Sequence, residues 1–369
     1  MRIAINALPY TDWQGIEVFL AGLLQAWPKN NQDEITVFAN QKSAAFLQPL
    51  PDHLKIKIID FKKISRPRIF LYQQFAFIAE LKKTKTDVLL CPSLLSPWLY
   101  RRKVVIIHDL APFIFKGESG RVGKIFWQIC LWSAKYFSLG LATISEFSRQ
   151  EISHYLKIDS AKIINISEGC PTLALTNNQE DETSLKKFAL AEKKYFIYIG
   201  NVRPRKNLAN IILAWEKFNA TNDYQYYLVI AGKEDGRQAA LKDWTKKLNI
   251  QKLIFVGFIS AAEKTTLLKK TQGLLFISLY EGFGLPVLEA QSLGVPVITA
   301  NTSALPETAG TDGALFTNPL DIEEMAKKIN QLVHDEALQQ KLIAQGKLNV
   351  QKYSWEETAK KLYENLRNK

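Results

Sequence analysis

The sequence predicts an α/β protein of two domains, each a doubly wound parallel sheet. Its 369 residues exceed one ordinary core and suit two domains of similar size. Short β-branched or apolar runs alternate with helical or loop segments along the whole chain, as in parallel sheets with helices on both faces. The polar stretch TNNQEDET at 176–183 interrupts this rhythm and indicates a break between the domains.

We place the first domain at residues 1–170 and a linker at 171–184. After the first predicted strand a helix is expected at 16–27, with apolar residues at helical spacing. The predicted strands are RIAINAL (2–8), EITVFA (34–39), VLLCP (88–92), VVIIHD (104–109), LATIS (141–145) and KIINIS (162–167).

The second domain is predicted at residues 185–352. Its strands are YFIYIG (195–200), YLVIAG (227–232), LIFVG (253–257), LLFIS (274–278) and VPVITA (295–300). The tail 353–369 has helical spacing at Trp355, Leu362 and Leu366, and we expect this helix to pack back on the first domain.

The composition limits the classes of protein to which the chain can belong. A hydrophobic content of 47% is typical of globular chains, and three scattered cysteines form neither a disulfide framework nor a metal-ligand spacing. The N-terminal residues lack the basic and apolar regions of a secretory signal, and no run of about 18 residues is apolar enough to span a bilayer. We therefore expect a cytoplasmic location.

The net charge is +12, and most of the excess lies in the first half. Residues 1–175 hold 22 of the 48 basic residues but only 14 of the 36 acidic ones. Two basic clusters lie at 62–68 and 101–103. Such clusters attract phospholipid, pyrophosphate or nucleic acid, but each is also compatible with an ordinary solvated surface.

The segment GNVRPRKNL (200–208) places cations where a strand meets a helix. The strand ends at Gly200 and the helix is predicted to begin near Asn207, an acceptable N-cap. Arg203, Arg205 and Lys206 then lie at the open end of the sheet beside helix N–H groups, an arrangement suited to phosphate. A basic surface turn is the alternative interpretation.

The segment SLYEGFGLPVLEA (278–290) carries two glutamates in an otherwise apolar or glycine-rich run. We expect a helix to begin at Pro286, with Glu289 in its first turn and Glu281 in the preceding loop. A carboxylate at such a junction can accept the hydroxyl protons of a ribose. Stabilisation of the helix dipole would explain Glu289 without a ligand, but not Glu281.

His108 follows the predicted strand at 104–109 and is paired with Asp109. At the open end of a sheet such a pair indicates a functional site. An interior histidine with satisfied hydrogen bonds is the alternative.

These segments together resemble glycosyltransferase family 4. The resemblance covers nearly the whole chain and rests on EGFGLPVLEA, GVPVITANTSALPETAG (294–310), GNVRPRKNL, VVIIHDLAPF and ISEFSR (144–149). It implies a GT-B fold, in which two Rossmann-like domains face each other across a cleft that holds the active site. It also implies transfer of a sugar from a nucleotide donor with retention at the anomeric carbon, with no bound metal and no other cofactor.

The resemblance assigns roles residue by residue. Arg205 and Lys206 would hold the donor diphosphate, Glu289 the ribose and Glu281 the donor sugar, with His108 facing that sugar. The other implied donor contacts are Gly15, Ile259 against the base, and the backbone of Phe283, Gly284 and Leu285. Family members often have arginine where this chain has Asn201, so Arg203 or Arg205 must supply that charge. The single glycine in DWQGIEVF departs from relatives that have two or more.

The reaction chemistry agrees with these roles. A departing diphosphate gains negative charge, which fixed cations stabilise. The chain contains no Asp-x-Asp, the pattern with which metal-dependent sugar transferases often hold their metal. Because no second carboxylate is placed as a nucleophile, we hypothesise attack on the face from which the phosphate leaves, the phosphate itself taking the acceptor's proton.

The first domain holds the acceptor in the family that the chain resembles. Its basic excess and the aromatic segment 126–137 indicate a peripheral enzyme that docks on the inner face of an anionic membrane and uses a saccharide or lipid-linked glycan. A buried amphipathic helix accounts for 126–137 equally well. HDLAPF and RPRKNL are similar to members that use GDP-mannose in surface-polysaccharide synthesis, such as that of lipopolysaccharide.

Other functions stay open. A non-catalytic subunit that binds a nucleotide sugar or glycan would keep the same fold, and a nucleotide-sugar epimerase would need no acceptor. A nucleic-acid-binding protein would explain the charge but not EGFGLPVLE, so we expect no nucleic-acid partner. A dehydrogenase would need a GxGxxG motif after its first strand, which LPYTDWQG does not supply.

Overall fold

A computed structural model describes residues 1–11, 15–30, 32–115, 118, 120–233 and 236–369. The chain divides into two compact units. The first comprises residues 1–169 together with 353–369, and the second comprises residues 170–352. The C-terminal segment therefore belongs to the first unit.

The first unit is built on a seven-stranded sheet in which every described strand pair is parallel. Its strand order is β3-β2-β1-β4-β5-β6-β7. The strands are β1 Arg2–Ala7, β2 Glu34–Asn40, β3 Leu54–Ile59, β4 Val88–Cys91, β5 Lys103–Ile106, β6 Gly140–Thr143 and β7 Ile163–Asn165. The helices are α1 Gly15–Gln25, α2 Gln41–Leu47, α3 Arg66–Gln74, α4 Ala76–Lys83, α5 Ala111–Ile114, α6 Arg121–Phe137, α7 Glu146–Leu156 and, from the end of the chain, α16 Trp355–Arg367.

The second unit is built on a six-stranded sheet, again parallel in every described pair. Its strand order is β10-β9-β8-β11-β12-β13. The strands are β8 Tyr195–Ile199, β9 Tyr227–Ala231, β10 Leu253–Gly257, β11 Gly273–Phe276, β12 Val297–Ala300 and β13 Leu315–Thr317. The helices are α8 Asn178–Lys187, α9 Leu208–Ala220, α10 Gly236–Lys247, α11 Ala261–Lys270, α12 Leu285–Ser292, α13 Leu305–Ala309, α14 Ile322–His334 and α15 Glu336–Val350.

The prediction of two parallel-sheet α/β domains is confirmed, and every predicted strand is present. Two edge strands, β3 and β13, were missed. Strand β3 alternates apolar residues with lysines that form ion pairs at the surface, Lys55 with Glu34 and Lys57 with Glu80. Strand β13 is only three residues long. Neither has the continuous apolar run that marks a strand buried on both faces.

The predicted linker at 171–184 is wrong over its second half. Residues from 178 onward form α8, which begins with a capping box in which Asn177 and Glu180 bond each other's backbone. The buried Asp181 accepts a hydrogen bond from Thr266 of α11 at 2.7 Å. The segment looked like a linker because its polar residues cap the helix and fix it to its neighbour.

The C-terminal helix α16 is fixed to the first unit by Trp355. Its indole lies so close to two glycines that a Cβ atom on Gly22 of α1 would be 2.3 Å from the ring, and one on Gly169 would be 2.4 Å from it. The ring also contacts Phe19 edge-on, with centroids 5.8 Å apart. Both glycines are therefore required by the volume of Trp355.

We expect Trp355→Ala to destabilise the protein by about 3–5 kcal/mol, because the lost ring leaves a cavity. Gly22→Ala alone should also lower the unfolding temperature through its collision with the ring, but should do so much less in the Trp355→Ala background. Gly236→Ala is the control, since an added methyl there meets no described atom within 4 Å. Additive effects of Gly22→Ala and Trp355→Ala in thermal unfolding would contradict this packing.

Candidate active site

The predicted phosphate-binding segment lies at the point where the strand order of the second sheet reverses. Strands β8 and β11 are neighbours there, and the strands that follow them in the chain, β9 and β12, lie toward opposite edges of the sheet. Ligands of open α/β sheets bind beyond the carboxyl ends of such a pair. Residues 200–207 follow β8 and residues 277–284 follow β11. The predicted phosphate-binding loop and the loop that carries Glu281 therefore meet at this point.

Main-chain contacts hold the loop after β8 in place. Gly200 has φ +155°, and a Cβ atom on Gly232 would lie only 2.1 Å from the Gly200 carbonyl oxygen. The Leu279 amide donates to the Arg205 carbonyl oxygen at 2.7 Å, which joins this loop to the loop after β11.

Asn207, which is the N-cap residue of α9 as predicted, adds a second link. It precedes α9 in a left-handed conformation and makes no side-chain cap bond. Its amide instead donates to the carbonyl oxygens of Ile277 at 3.1 Å and Pro319 at 2.6 Å. The side chain therefore fixes the loop rather than the helix terminus.

Arg205, Lys206 and Glu281 form one ion cluster. Arg205 Nη1 lies 2.8 Å from Glu281 Oε2, and Lys206 Nζ lies 2.6 Å from Glu281 Oε1. Arg205 Nη1 also donates to the Tyr280 carbonyl oxygen, and Lys206 Nζ lies 4.9 Å above the centre of the Phe276 ring. Glu281 is only 6% exposed, so the carboxylate is held within the protein.

The electrostatics of the cluster explain how a carboxylate can be buried there. Burial alone would raise the pKa of Glu281, but Lys206 and Arg205 outweigh it and hold the pKa below its ordinary value. Two cations and one carboxylate leave a net positive charge. The cluster can therefore bind an anion and still hold its cations in fixed positions before that anion arrives.

A third loop, after β12, supports Glu281; the sequence marked it within GVPVITANTSALPETAG, but none of its residues was assigned a role. The Glu281 amide donates to Ser303 Oγ at 3.1 Å, and the Ala304 amide donates to the Glu281 carbonyl oxygen at 3.3 Å. Ser303 has φ +58°, a conformation uncommon for a residue with a side chain. Within that motif, the only signal for these residues was the polar run NTS before ALPETAG.

The helix α12 carries the second glutamate. Gly284 caps it with φ +134°, and a Cβ atom there would lie 2.9 Å from Leu305. Leu285 opens the helix, and the buried Phe283 accepts a hydrogen bond from Thr308 at its carbonyl oxygen. The helix begins at Leu285, so Glu289 lies in its second turn and the predicted first-turn position is wrong.

Glu289 is 3% exposed and forms an ion pair with Lys264 of α11, Nζ to Oε1 at 2.5 Å. Its burial and this partner, rather than the helix dipole, account for its position. Lys264 was not predicted. It lies on a different helix from Glu289, 25 positions away in the sequence, and nothing between them marks the two as neighbours.

The remaining predicted donor-site residues are less closely fixed. Ile259 lies in the turn after β10 and is partly buried against the core of the second unit. Arg203 is half-buried and precedes the 3₁₀ turn Pro204–Lys206, without an ion pair in the described part of the chain. Gly15 is the exposed first residue of α1, and a Cβ atom there would meet no described atom within 4 Å. The residues that precede Gly15 in its predicted loop, 12–14, lie outside the described residues.

His108 follows β5 in the first unit, where it is partly buried and both ring nitrogens have a partner. Its Nε2 lies 2.8 Å from the Pro92 carbonyl oxygen, and its Nδ1 lies 3.5 Å from Glu168 Oε1. Burial acts to lower the pKa of His108, but the Glu168 carboxylate outweighs it and the pKa is raised. Burial also raises the pKa of Glu168 above its ordinary range.

Within the described ranges, no group of three or more His, Cys, Asp and Glu residues could hold a metal ion. The helices of the described residues are all too short or too polar to span a bilayer. The prediction of a metal-free reaction stays a prediction.

Comparisons with known proteins identify the second unit. Residues 180–349, nearly all of that unit, match the family model described as glycosyl transferases group 1. O-antigen chain mannosyltransferase B of Escherichia coli is 27% identical over 267 residues, which cover 72% of this chain and 70% of that protein. The protein is a glycosyltransferase.

A second relative matches this glycosyltransferase over only part of its own length. The serotype-specific mannosyltransferase WbdA of Escherichia coli is 30% identical over 270 residues, which are 71% of this chain but 32% of WbdA. The chain thus spans about a third of that relative.

Solved structures match the glycosyltransferase over its full length. Anabaena HepE, solved in complex with UDP and glucose, has a TM-score of 0.77 at 16% identity and is covered completely. Sucrose-phosphate synthase from Thermosynechococcus elongatus has a TM-score of 0.76 at 19% identity and is 98% covered. At these identities the likeness shows the fold alone, and it confirms the predicted GT-B class.

The buried ion cluster makes stability depend on pH. Because the folded pKa of Glu281 is lowered, its stabilising contribution is present above the ordinary value of 4.5 and is lost as the pH falls through the folded pKa. We expect Glu281→Gln to lower stability by about 3 kcal/mol near neutral pH, because it leaves two cations without their carboxylate. The difference from the unaltered protein should shrink below pH 4.5. Equal differences at pH 7 and pH 3.5 in denaturant titrations would contradict this account.

Proposed function

We propose that the protein is a retaining, metal-independent glycosyltransferase of family 4 that transfers a hexose from a nucleotide-diphosphate sugar to a saccharide or lipid-linked glycan. The observation that carries the proposal is the cluster of Arg205, Lys206 and Glu281 where β8 and β11 diverge. Fixed cations at this point of a Rossmann-like sheet match the needs of a diphosphate leaving group.

The proposed roles follow from the charges. Arg205 and Lys206 stabilise the negative charge that develops on the departing diphosphate, with Arg203 as a further cation at the edge of the loop. Glu281 keeps the two cations in position and meets the electron-poor sugar. Glu289, held by Lys264, accepts hydrogen bonds from the ribose hydroxyl groups, and Ile259 lies against the base. The backbone at Phe283–Leu285 approaches the sugar and the phosphates.

The donor is proposed from the relatives. Two of them are named as mannosyltransferases, one of them for the O-antigen chain, which supports GDP-mannose as donor and surface-polysaccharide synthesis as the setting. HepE was solved with UDP and glucose, so a uridine donor is the first alternative. A subunit that binds the donor without catalysis would release no nucleoside diphosphate when acceptor is added, and neither would an epimerase. Acceptor-dependent release therefore distinguishes the transferase from both.

Turnover in the presence of acceptor tests the proposal. A thermal-shift screen of GDP-mannose, UDP-glucose and related donors selects the donor, because binding to the folded state raises the unfolding temperature. Lys206→Ala should then lower kcat/KM by about 100-fold, since one cation of the leaving-group site is lost. Lys217→Ala is the matched control, because Lys217 pairs with Glu323 at the exposed surface. Unchanged rates in Lys206→Ala, or no release of nucleoside diphosphate with any acceptor, would contradict the function.

We also propose that helix α6 docks on an anionic membrane at which the acceptor lies. One face of α6 is buried, through Cys130, Leu131 and Ala134. The opposite face is apolar and exposed, and its residues recur at helical spacing: Val122, Ile125, Trp132 and Tyr136. The segment is an amphipathic helix packed on the sheet, and it has a second apolar face in solvent that supports the docking proposal.

The charge of α6 favours a lipid surface over a protein groove. The helix holds three basic residues, Arg121, Lys124 and Lys135, and no acidic one. Arg101 lies over the Phe137 ring, with its guanidinium carbon 5.4 Å from the ring centre. Cations beside exposed tryptophan and tyrosine match anionic headgroups above an apolar boundary.

The double variant Ile125→Ser/Trp132→Ser should lose most of its binding to vesicles that contain anionic phospholipid, because it removes the apolar part of the contact. Turnover with a short water-soluble acceptor should not change. Leu348→Ser is the matched control, an exposed leucine on α15 of the second unit. If the unaltered protein fails to co-sediment with anionic vesicles at low salt, or the double variant binds them equally well, α6 is not the docking surface.

A further inference from the structure

Glu168 is a buried carboxylate to which neither the sequence nor the roles above assign a function. It follows β7 and is 4% exposed. Among the residues that the structure describes, its only ion-pair partner is His108. A carboxylate in such a position is costly unless its partner carries a positive charge.

The chain builds a fixed turn to place this carboxylate. The Ser167 amide donates to Asn165 Oδ1 at 2.9 Å, and Ser167 has φ +60°, which costs free energy for a residue with a side chain. On the other side, Gly169 lies against Trp355 so tightly that no side chain fits there. Glu168 is therefore held between a strained residue and a packed glycine.

The hydrogen bonds of His108 define its protonation. A carbonyl oxygen only accepts, so the contact with Pro92 requires a proton on Nε2. Nδ1 faces the Glu168 carboxylate, and the edge contact with Phe19, with ring centroids 4.9 Å apart, fixes the ring plane. The acidic groups that face the ring are Glu168 and Asp109, and both favour its charged form.

We propose that Glu168 is a positioning residue that keeps His108 doubly protonated, so that neither ring nitrogen can act as a base toward the acceptor. The imidazole instead fixes the end of β5 through its contact with the Pro92 carbonyl oxygen, and the main-chain carbonyl oxygen of His108 is oriented separately. Ser148 donates to that carbonyl oxygen at 3.1 Å and helps to orient it. The claim that no ring nitrogen serves as a base rests on the proposed function, whereas the protonation state of the ring does not.

The protonation state of the His108 ring distinguishes this role of Glu168 from a purely structural one. If Glu168 only filled space, its replacement by the isosteric glutamine would leave the protonation of His108 unchanged. If Glu168 holds the second proton, Glu168→Gln must release it. The chain has four histidines, so selective ¹⁵N labelling gives a simple spectrum, in which His108→Asn identifies the His108 signals.

The test is the ¹⁵N spectrum of the ligand-free protein at pH 7. We expect both ring nitrogens of His108 to be protonated in the unaltered protein and in Glu80→Gln, a control that removes a carboxylate from a surface ion pair. In Glu168→Gln the Nδ1 proton should be lost while Nε2 stays protonated. A neutral His108 ring in the unaltered protein would overturn the proposal, and this measurement does not depend on the folding of any variant. Unchanged ¹⁵N signals of the His108 ring in Glu168→Gln would also overturn it. Failure of donors to bind would leave this result intact and count against the proposed function alone.

Discussion

The salt bridges of Glu281 with Arg205 and Lys206 are the interaction on which the second unit's site depends. Neither the arginine nor the lysine belongs to the same loop as the glutamate, so the cluster exists only because β8 and β11 are neighbours in the sheet. The cations make burial of the carboxylate possible, and the carboxylate holds the cations where the strands end. A site built in this way is organised before its ligand binds, which is the condition for stabilising charge that develops during a reaction.

The same physical principle recurs at Glu289 and at Glu168. Each is a nearly fully buried carboxylate beside one basic side chain, Lys264 in the first case and His108 in the second. All three carboxylates lie in segments that follow the carboxyl ends of strands. The protein thus places acidic groups where it needs basic side chains or hydroxyl-bearing ligands to be held in a defined orientation. The net positive charge of the chain makes such partners abundant.

The sequence was sufficient for the architecture and for the residues of the ion cluster, because both are marked locally. Buried parallel strands appear as apolar runs, and Arg205, Lys206 and Glu281 stand out in loops that follow them. Strands β3 and β13 were not predicted because edge strands need no apolar run on both faces. The linker was misplaced because the polar residues that cap α8 are also those of an exposed loop.

The partners of the predicted residues could not be read from the sequence. Lys264, Ser303 and Glu168 act through contacts with residues that are distant in the chain, and no local pattern distinguishes them from other polar residues. Glu168 was the hardest case, since its burial depends on the left-handed Ser167 and on Trp355 at the far end of the chain. Asn207 is the N-cap residue that was predicted for the nearest helix, but the bonds of its side chain run to two other loops.

A crystal structure with a bound nucleotide-diphosphate sugar would show whether the ion cluster is the donor site. We expect diphosphate oxygens within about 3 Å of Lys206 Nζ and of the Arg205 guanidinium, a hydrogen-bonding distance. Glu281 should remain beside both cations, with the sugar against it. A diphosphate bound elsewhere, with the contacts of Arg205, Lys206 and Glu281 unchanged and no phosphate near them, would contradict this expectation.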